Sequence, residues 1–154
     1  MLFTTYNIQF GCGRDGRIDL ERIARTIAKA DVIALQEVER NWRKDQAFPD
    51  QAARLGELLP QHHWVHGATT DLDGTSVGPG GKVANLRRQF GNIVLSRLPI
   101  VSTRTVPLPT LPVSGEINDQ SSLLEAVIDN GERSFRVYNI HLNHLSRRQR
   151  LMQR

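Results

Sequence analysis

Residues 2–37, LFTTYNIQFGCGRDGRIDLERIARTIAKADVIALQE, decide the fold. Leu2 to Ile8 mixes apolar, aromatic and β-branched residues, then gives way to Gly11, Gly13 and Gly16, which predicts a strand followed by a loop. Asp19 is a suitable helix N-cap, with Ile18 and Ile23 at hydrophobic-staple spacing. Leu20, Ile23, Ala24 and Ile27 recur at the helical period, so the spacing predicts a helix over about Leu20 to Ala30. Val32 to Leu35 is a continuous apolar run, as in strands covered on both faces, and it ends in Gln36 and Glu37. The three segments make a β-α-β unit. Its strands are parallel, joined by a right-handed crossover, and their carboxyl ends lie on one rim of the sheet. Asn7 and Glu37 then share the rim at which such sheets bind ligands.

Working outward, Asp50 can cap a second helix carrying Ala53, Leu55, Leu58 and Leu59, closed by Pro60, and His63 to Gly67 reads as a short strand. Thr69 to Gln89 is rich in Gly, Asp and Ser with little apolar content, which predicts a long loop near the site. Phe90 to Ser96 and Ile100 to Val106 read as neighbouring strands on either side of a turn at Pro99. Ser122 to Ile128 and Phe135 to Leu142 flank Asn130-Gly131, the preferred centre of a tight turn, so an antiparallel hairpin ending at His141 is expected. Ser146 and Gln149 have capping-box spacing and start a short helix. The elements add up to a single α/β domain.

The composition, 154 residues with 39% hydrophobic and 23% charged, is that of a globular domain and excludes a disordered or fibrous chain. A formal net charge of +4 and a pI near 9.8 admit a polyanionic partner, although paired arginines such as Arg87 and Arg88 are more often solvated surface. Cys12 is alone, so no intrachain disulfide or cysteine zinc site can form. No basic segment followed by an apolar stretch opens the chain, and no apolar run is long enough for a bilayer, so a cytoplasmic location is expected and no transmembrane segment. Oligomeric state is left open. His62, His63 and His66 do not read as a zinc site, since adjacent strand residues point to opposite faces. Gly78 to Lys82 fails as a phosphate loop because Ser76 replaces the first glycine and Val83 follows the lysine.

Four segments remain: Thr5-Tyr6-Asn7-Ile8, Leu35-Gln36-Glu37-Val38, Gly91-Asn92-Ile93-Val94-Leu95-Ser96-Arg97 and Asn139-Ile140-His141-Leu142. In this order they resemble the endonuclease/exonuclease/phosphatase superfamily, the deoxyribonuclease I-like hydrolases. The resemblance implies an α/β fold, a two-layer β-sandwich flanked by helices, that cleaves phosphoesters with Mg²⁺ or Mn²⁺. By the same resemblance Glu37 matches a metal-binding glutamate and Asn7 an asparagine that helps hold the metal or its water. His141 matches a histidine that contacts the scissile phosphate. Asn143, just beyond it, is a further candidate for substrate contact. Singly, Asn7 reads as a turn residue, Glu37 as an exposed charge and His141 as a structural histidine; their joint placement favours a site. Asn92 and Ser96 read as strand-edge bonding and packing.

The chemistry is coherent in its own right. A phosphodiester needs positive charge at its phosphoryl oxygens and an oriented water. A carboxylate and an amide oxygen suit a hard cation, and a protonated imidazole donates a charge-assisted hydrogen bond. The family pattern also carries a Gly-Asp-x-Asn segment and a late Asp-His pair, neither of which occurs here. The expectation is therefore an endonuclease/exonuclease/phosphatase-type domain over residues 1–154, truncated at its C-terminus and holding the first half to two thirds of the fold. As a family member it is an enzyme, a phosphodiesterase, nuclease or phosphatase acting on a phosphoester, with nucleic acid favoured by charge; alone, lacking the base, it is expected to be inactive. The alternative is a non-catalytic binding or interaction domain that keeps the fold.

Overall fold

β1 (Phe3–Asn7) and β2 (Val32–Arg40) run parallel, in register from Phe3 opposite Val32 to Asn7 opposite Gln36, joined through α1 (Leu20–Ile27). The Asp19 side chain caps α1 by accepting from the Arg22 amide at 2.7 Å, and Leu20, Ile23, Ala24 and Ile27 form its buried stripe. The helix stops at Ile27, short of the expected Ala30, because the chain must turn there so that Asp31 and Val32 can donate to the Leu2 carbonyl. This computed structural model describes residues 1–43, 50–110, 121–142 and 146–153.

The remaining elements are α2 (Gln51–Leu58), β3 (His63–Asp73), β4 (Ser76–Val77), β5 (Val83–Ala84), β6 (Arg87–Ser96), β7 (Ile100–Pro107), β8 (Ser122–Asp129), β9 (Ser134–Ile140) and α3 (Arg147–Met152). One sheet has the order β1-β2-β6-β3, parallel only at its first pair; a second has the order β7-β8-β9 and is antiparallel. Gly131, with φ +86°, makes the tight β8–β9 turn.

Alternation along the strands sorts the core into two layers. Ile33, Leu35, Ile93 and Leu95 join Ile8, Leu20, Ile27 and Leu55 beneath the helices. Val32 and Val94 face the other way and pack on Leu124, Ala126 and Ile128 of the second sheet. At the edge of that inter-sheet layer Phe3 and Phe135 meet edge to face, ring centres 6.1 Å apart.

The segment read as a loop from Thr69 to Gln89 is largely strand. β3 continues to Asp73 and β6 begins at Arg87, in register from Thr70 opposite Phe90 to Asp73 opposite Arg87. Low apolar content misleads here because the arm is solvated. Backbone pairing and polar cross-strand contacts hold it, among them Arg87 to Asp71 at 2.8 Å and Thr69 Oγ1 to the Phe90 carbonyl at 2.7 Å. β4 and β5 extend the arm, and Gly78 to Lys82 is the turn between them. Among the described residues no helix is long and apolar enough to cross a membrane.

Two irregularities flank one glycine. In the β2–β6 ladder Leu35 faces Ile93 and Val38 faces Gly91, so Gln36 and Glu37 together oppose Asn92 alone. In the β3–β6 ladder Ala68 faces Gly91 and Thr70 faces Phe90, leaving Thr69 as the extra residue. Gly91 lies at the edge of both bulges, where a Cβ would strike the Gly67 carbonyl and the Ala68 Cα. Gly91→Ala is expected to destabilise the chain by roughly 2–3 kcal/mol, read as a lower denaturation midpoint with the urea slope unchanged.

Candidate active site

The bulge in β2 decides where Glu37 points. Before it, even-numbered residues of β2 face the second sheet and odd-numbered ones face the helices, as Val32 and Ile33 show. After it, Val38 belongs to the helix-side core. Gln36 and Glu37 are the two residues that absorb the change, and both turn towards the second sheet: Gln36 Nε2 donates to Asn139 Oδ1 at 2.7 Å, and Glu37 Oε1 lies 3.7 Å from His141 Nε2. Glu37 adopts φ +59°, the left-handed region that costs a non-glycine residue about 1–3 kcal/mol.

The three residues expected at the rim are brought together. Asn7, at the end of β1 and opposite Gln36, donates from Nδ2 to Glu37 Oε1 at 2.8 Å, while its Oδ1 accepts from the Gln9 amide at 2.9 Å. Asn7 Nδ2 also approaches His141 Nε2 at 3.5 Å, the outer limit of a hydrogen bond. His141 follows the last residue of β9 and so arrives from the other sheet. Glu37 and His141 side chains remain partly open to solvent, at 18% and 30%. Among the described residues Glu37 Oε2 accepts no hydrogen bond. Asn143 lies outside the described residues.

Beneath this group is a layer of buried amides that the sequence reading did not assign to the site. Asn139 Nδ2 donates to the carbonyls of Leu35 at 2.8 Å and Ile93 at 2.9 Å. Gln36 Nε2 also reaches Thr5 Oγ1 at 3.1 Å. Asn92 Nδ2 contacts the carbonyls of Asn139 at 3.2 Å and Ser122 at 3.4 Å. The one signal in the sequence was the alternation Phe135, Val137, Asn139, in which a polar residue takes an inward, apolar column.

The sequence profile described as the Endonuclease/Exonuclease/phosphatase family matches residues 4–153. The chain belongs to that family. Among solved structures, it is similar to an endonuclease/exonuclease/phosphatase from Beutenbergia cavernae at 29% identity and a TM-score of 0.73, covering 97% of this chain and 41% of that one. An endonuclease/exonuclease/phosphatase family protein from Leptotrichia buccalis matches at 21% identity and a TM-score of 0.63, with coverage of 93% and 54%. The 3′ phosphatase NExo from Neisseria, bound to a product DNA hairpin, matches at 19% identity and a TM-score of 0.51, with coverage of 92% and 41%. The chain thus spans about half the length of these proteins or less. No curated protein matches the sequence. The fold is the mixed α/β architecture of the endonuclease/exonuclease/phosphatase family.

Family membership raises the question of a divalent cation. No group of three or more His, Cys, Asp or Glu residues able to hold a metal is found among the described residues. The Glu37 carboxylate is of a kind that suits a hard ion keeping several waters, as Mg²⁺ does, since such ions are held by one or two carboxylates rather than by a full protein cage. Asn7, expected to share the ion, turns its N–H and not its oxygen to Glu37 and spends Oδ1 on the Gln9 amide.

Away from the rim, His62 and His66 bond to separate carbonyls, those of Ala30 at 3.0 Å and Val38 at 3.3 Å. Burial pushes the His66 imidazole down to about 4, with the Val38 carbonyl pulling partly the other way. Its ordinary value is near 6.5, so between those values the unfolded chain binds the extra proton. His66 therefore favours folding fully above about pH 6.5, and that contribution, roughly 3 kcal/mol, is lost as pH falls towards 4. Urea unfolding from pH 7.5 to 4 is expected to show this loss, and His66→Gln to flatten it.

Backbone strain at Glu37 gives a second expectation. Glu37→Gly and Glu37→Ala both remove the carboxylate, but only glycine relaxes at φ +59°. The glycine variant is expected to be the more stable by about 1 kcal/mol in equilibrium unfolding.

Proposed function

We propose that the chain forms the metal- and phosphate-binding part of a divalent-metal-dependent phosphoester hydrolase. The observation that carries this reading is the convergence of Asn7, Glu37 and His141, from β1, β2 and the end of β9, on one partly open rim. Glu37 holds Mg²⁺ or Mn²⁺ through its carboxylate, and Asn7 orients that carboxylate through the 2.8 Å bond to Oε1. When bound, the ion supplies Lewis-acid polarisation of a phosphoryl oxygen. An N–H of the His141 imidazole donates a hydrogen bond to the charge that develops on the phosphoryl group.

Among the described residues His141 with Glu37 is the only histidine–carboxylate pair within 4.0 Å, and both members are committed to ligand contact. Among the described residues no second pair is found to activate water, and the 154-residue chain alone is proposed to bind without turning over. A nucleic-acid substrate is supported by the net charge of +4. It is also supported by a cleft of about 450 Å³ past the end of β2, lined by Asn41, Arg43 and Arg88 together with Asp73. Arg88 stacks over Trp42 and donates to its carbonyl at 3.0 and 3.1 Å, which holds the guanidinium in place.

Mn²⁺ titration followed by electron paramagnetic resonance tests the site: Glu37→Gln should weaken binding by at least about tenfold, in keeping with loss of the single carboxylate ligand, and equal affinity would sink the assignment. Hydrolysis of bis(4-nitrophenyl) phosphate by the unaltered chain in Mg²⁺ should not exceed the metal blank. Turnover abolished by EDTA and by Glu37→Gln would keep the site and overturn the proposed inactivity.

A further inference from the structure

Asn139 is 1% exposed, and its side chain is committed wholly to the opposite sheet. Both N–H groups of Nδ2 are used, on the carbonyls of Leu35 and Ile93, and Oδ1 accepts from Gln36. Leu35 and Ile93 are the last register pair before the β2 bulge. An amide from the second sheet thus engages the ladder where the extra residue interrupts it. One residue beyond Gln36 lies Glu37, and two residues beyond Asn139 lies His141.

The two halves of the site are not held by each other. His141 Nε2 stands 3.7 Å from Glu37 Oε1 and 3.5 Å from Asn7 Nδ2, and neither separation is a strong bond. The apolar residues that join the sheets, Leu124, Ala126 and Ile128 with Val32 and Val94, lie further down the sandwich, and such contacts are non-directional. The Asn139 bonds are short, buried and directional, and a catalytic constellation must be held to about 0.5 Å.

We propose that Asn139 is a positioning residue, which sets the gap between the Asn7–Glu37 pair on one sheet and His141 on the other. Its catalytic meaning rests on the hydrolase reading; its geometry does not. The alternative, that Asn139 merely satisfies buried carbonyls, predicts loss of stability without a change of spacing at the rim.

Nuclear magnetic resonance of the metal-free chain separates the two. In the wild type a cross-relaxation peak between the Asn7 side-chain amide and the His141 ring is expected from their 3.5 Å approach. A loosening of about 1 Å in Asn139→Ser cuts that peak about fivefold, by its inverse sixth-power distance dependence, while the Phe3–Phe135 ring contact persists as the control for folding. A peak of undiminished intensity overturns the proposal. Should Asn139→Ser not fold, Gln36→Met, which removes the 2.7 Å bond to Oδ1 together with the longer bonds to Thr5 Oγ1 and the Ala34 carbonyl but leaves both Asn139 Nδ2 bonds, must weaken the same peak, and an unchanged peak again overturns it.

A second arm adds Mn²⁺ and reads paramagnetic broadening of the His141 ring. Broadening that falls in Asn139→Ser, with Mn²⁺ affinity within about threefold of wild type, supports positioning; equal broadening contradicts it. A wild-type chain that binds no Mn²⁺ sinks the metal reading, and the cross-relaxation peaks then decide the positioning claim without it.

Discussion

The structure depends on a single extra residue in β2. Because Gln36 and Glu37 both oppose Asn92, the strand's facing inverts at that point, and a carboxylate that regular alternation would send towards the helices is turned to the inter-sheet rim. The conformation is strained, and a strained residue persists only where its surroundings over-determine it. Here the surroundings include the Asn139 amide, which takes up the carbonyls of Leu35 and Ile93, one from each strand of the bulged pair.

Along the sandwich the space between the sheets is graded. The Phe3–Phe135 contact closes one edge, the aliphatic cluster of Val32, Val94, Leu124, Ala126 and Ile128 fills the middle, a buried layer of Gln36, Asn92 and Asn139 follows, and the ionisable Glu37 and His141 stand at the rim. Apolar packing supplies adhesion, amides supply register, and the charged groups are left where they keep contact with water. A carboxylate placed one layer deeper would meet a desolvation penalty of several kcal/mol.

Much of this was legible in the sequence, for identifiable reasons. The β-α-β unit was readable because its signals are local: an N-cap at Asp19, a helical stripe ending at Ile27, an apolar run from Val32. That unit alone brings Asn7 and Glu37 to one rim, and the hairpin around Asn130-Gly131 gives His141 its strand. The β3–β6 arm was not legible, since its pairing rests on backbone bonds and polar side chains that also suit a loop. The bulge was hidden for a different reason. A change of strand facing at Gln36-Glu37 can be seen only when β6 is laid beside β2, and the part played by Asn139 only when β9 is laid over both.

That last contact has a bearing on how the chain reaches its native state. The bonds from Asn139 to Leu35 and from Gln36 to Asn139 join residues 104 and 103 positions apart, whereas the β-α-β unit and the β8–β9 hairpin close over far shorter loops. Loop-closure entropy delays distant pairings, so these local units are expected to form before the Asn139 bonds that tie the sheets together. During that interval Glu37 lacks the support of the Asn139 amide and is free to relax from its left-handed backbone. On this ground the site is expected to be assembled late, as a product of docking and not as a seed for it.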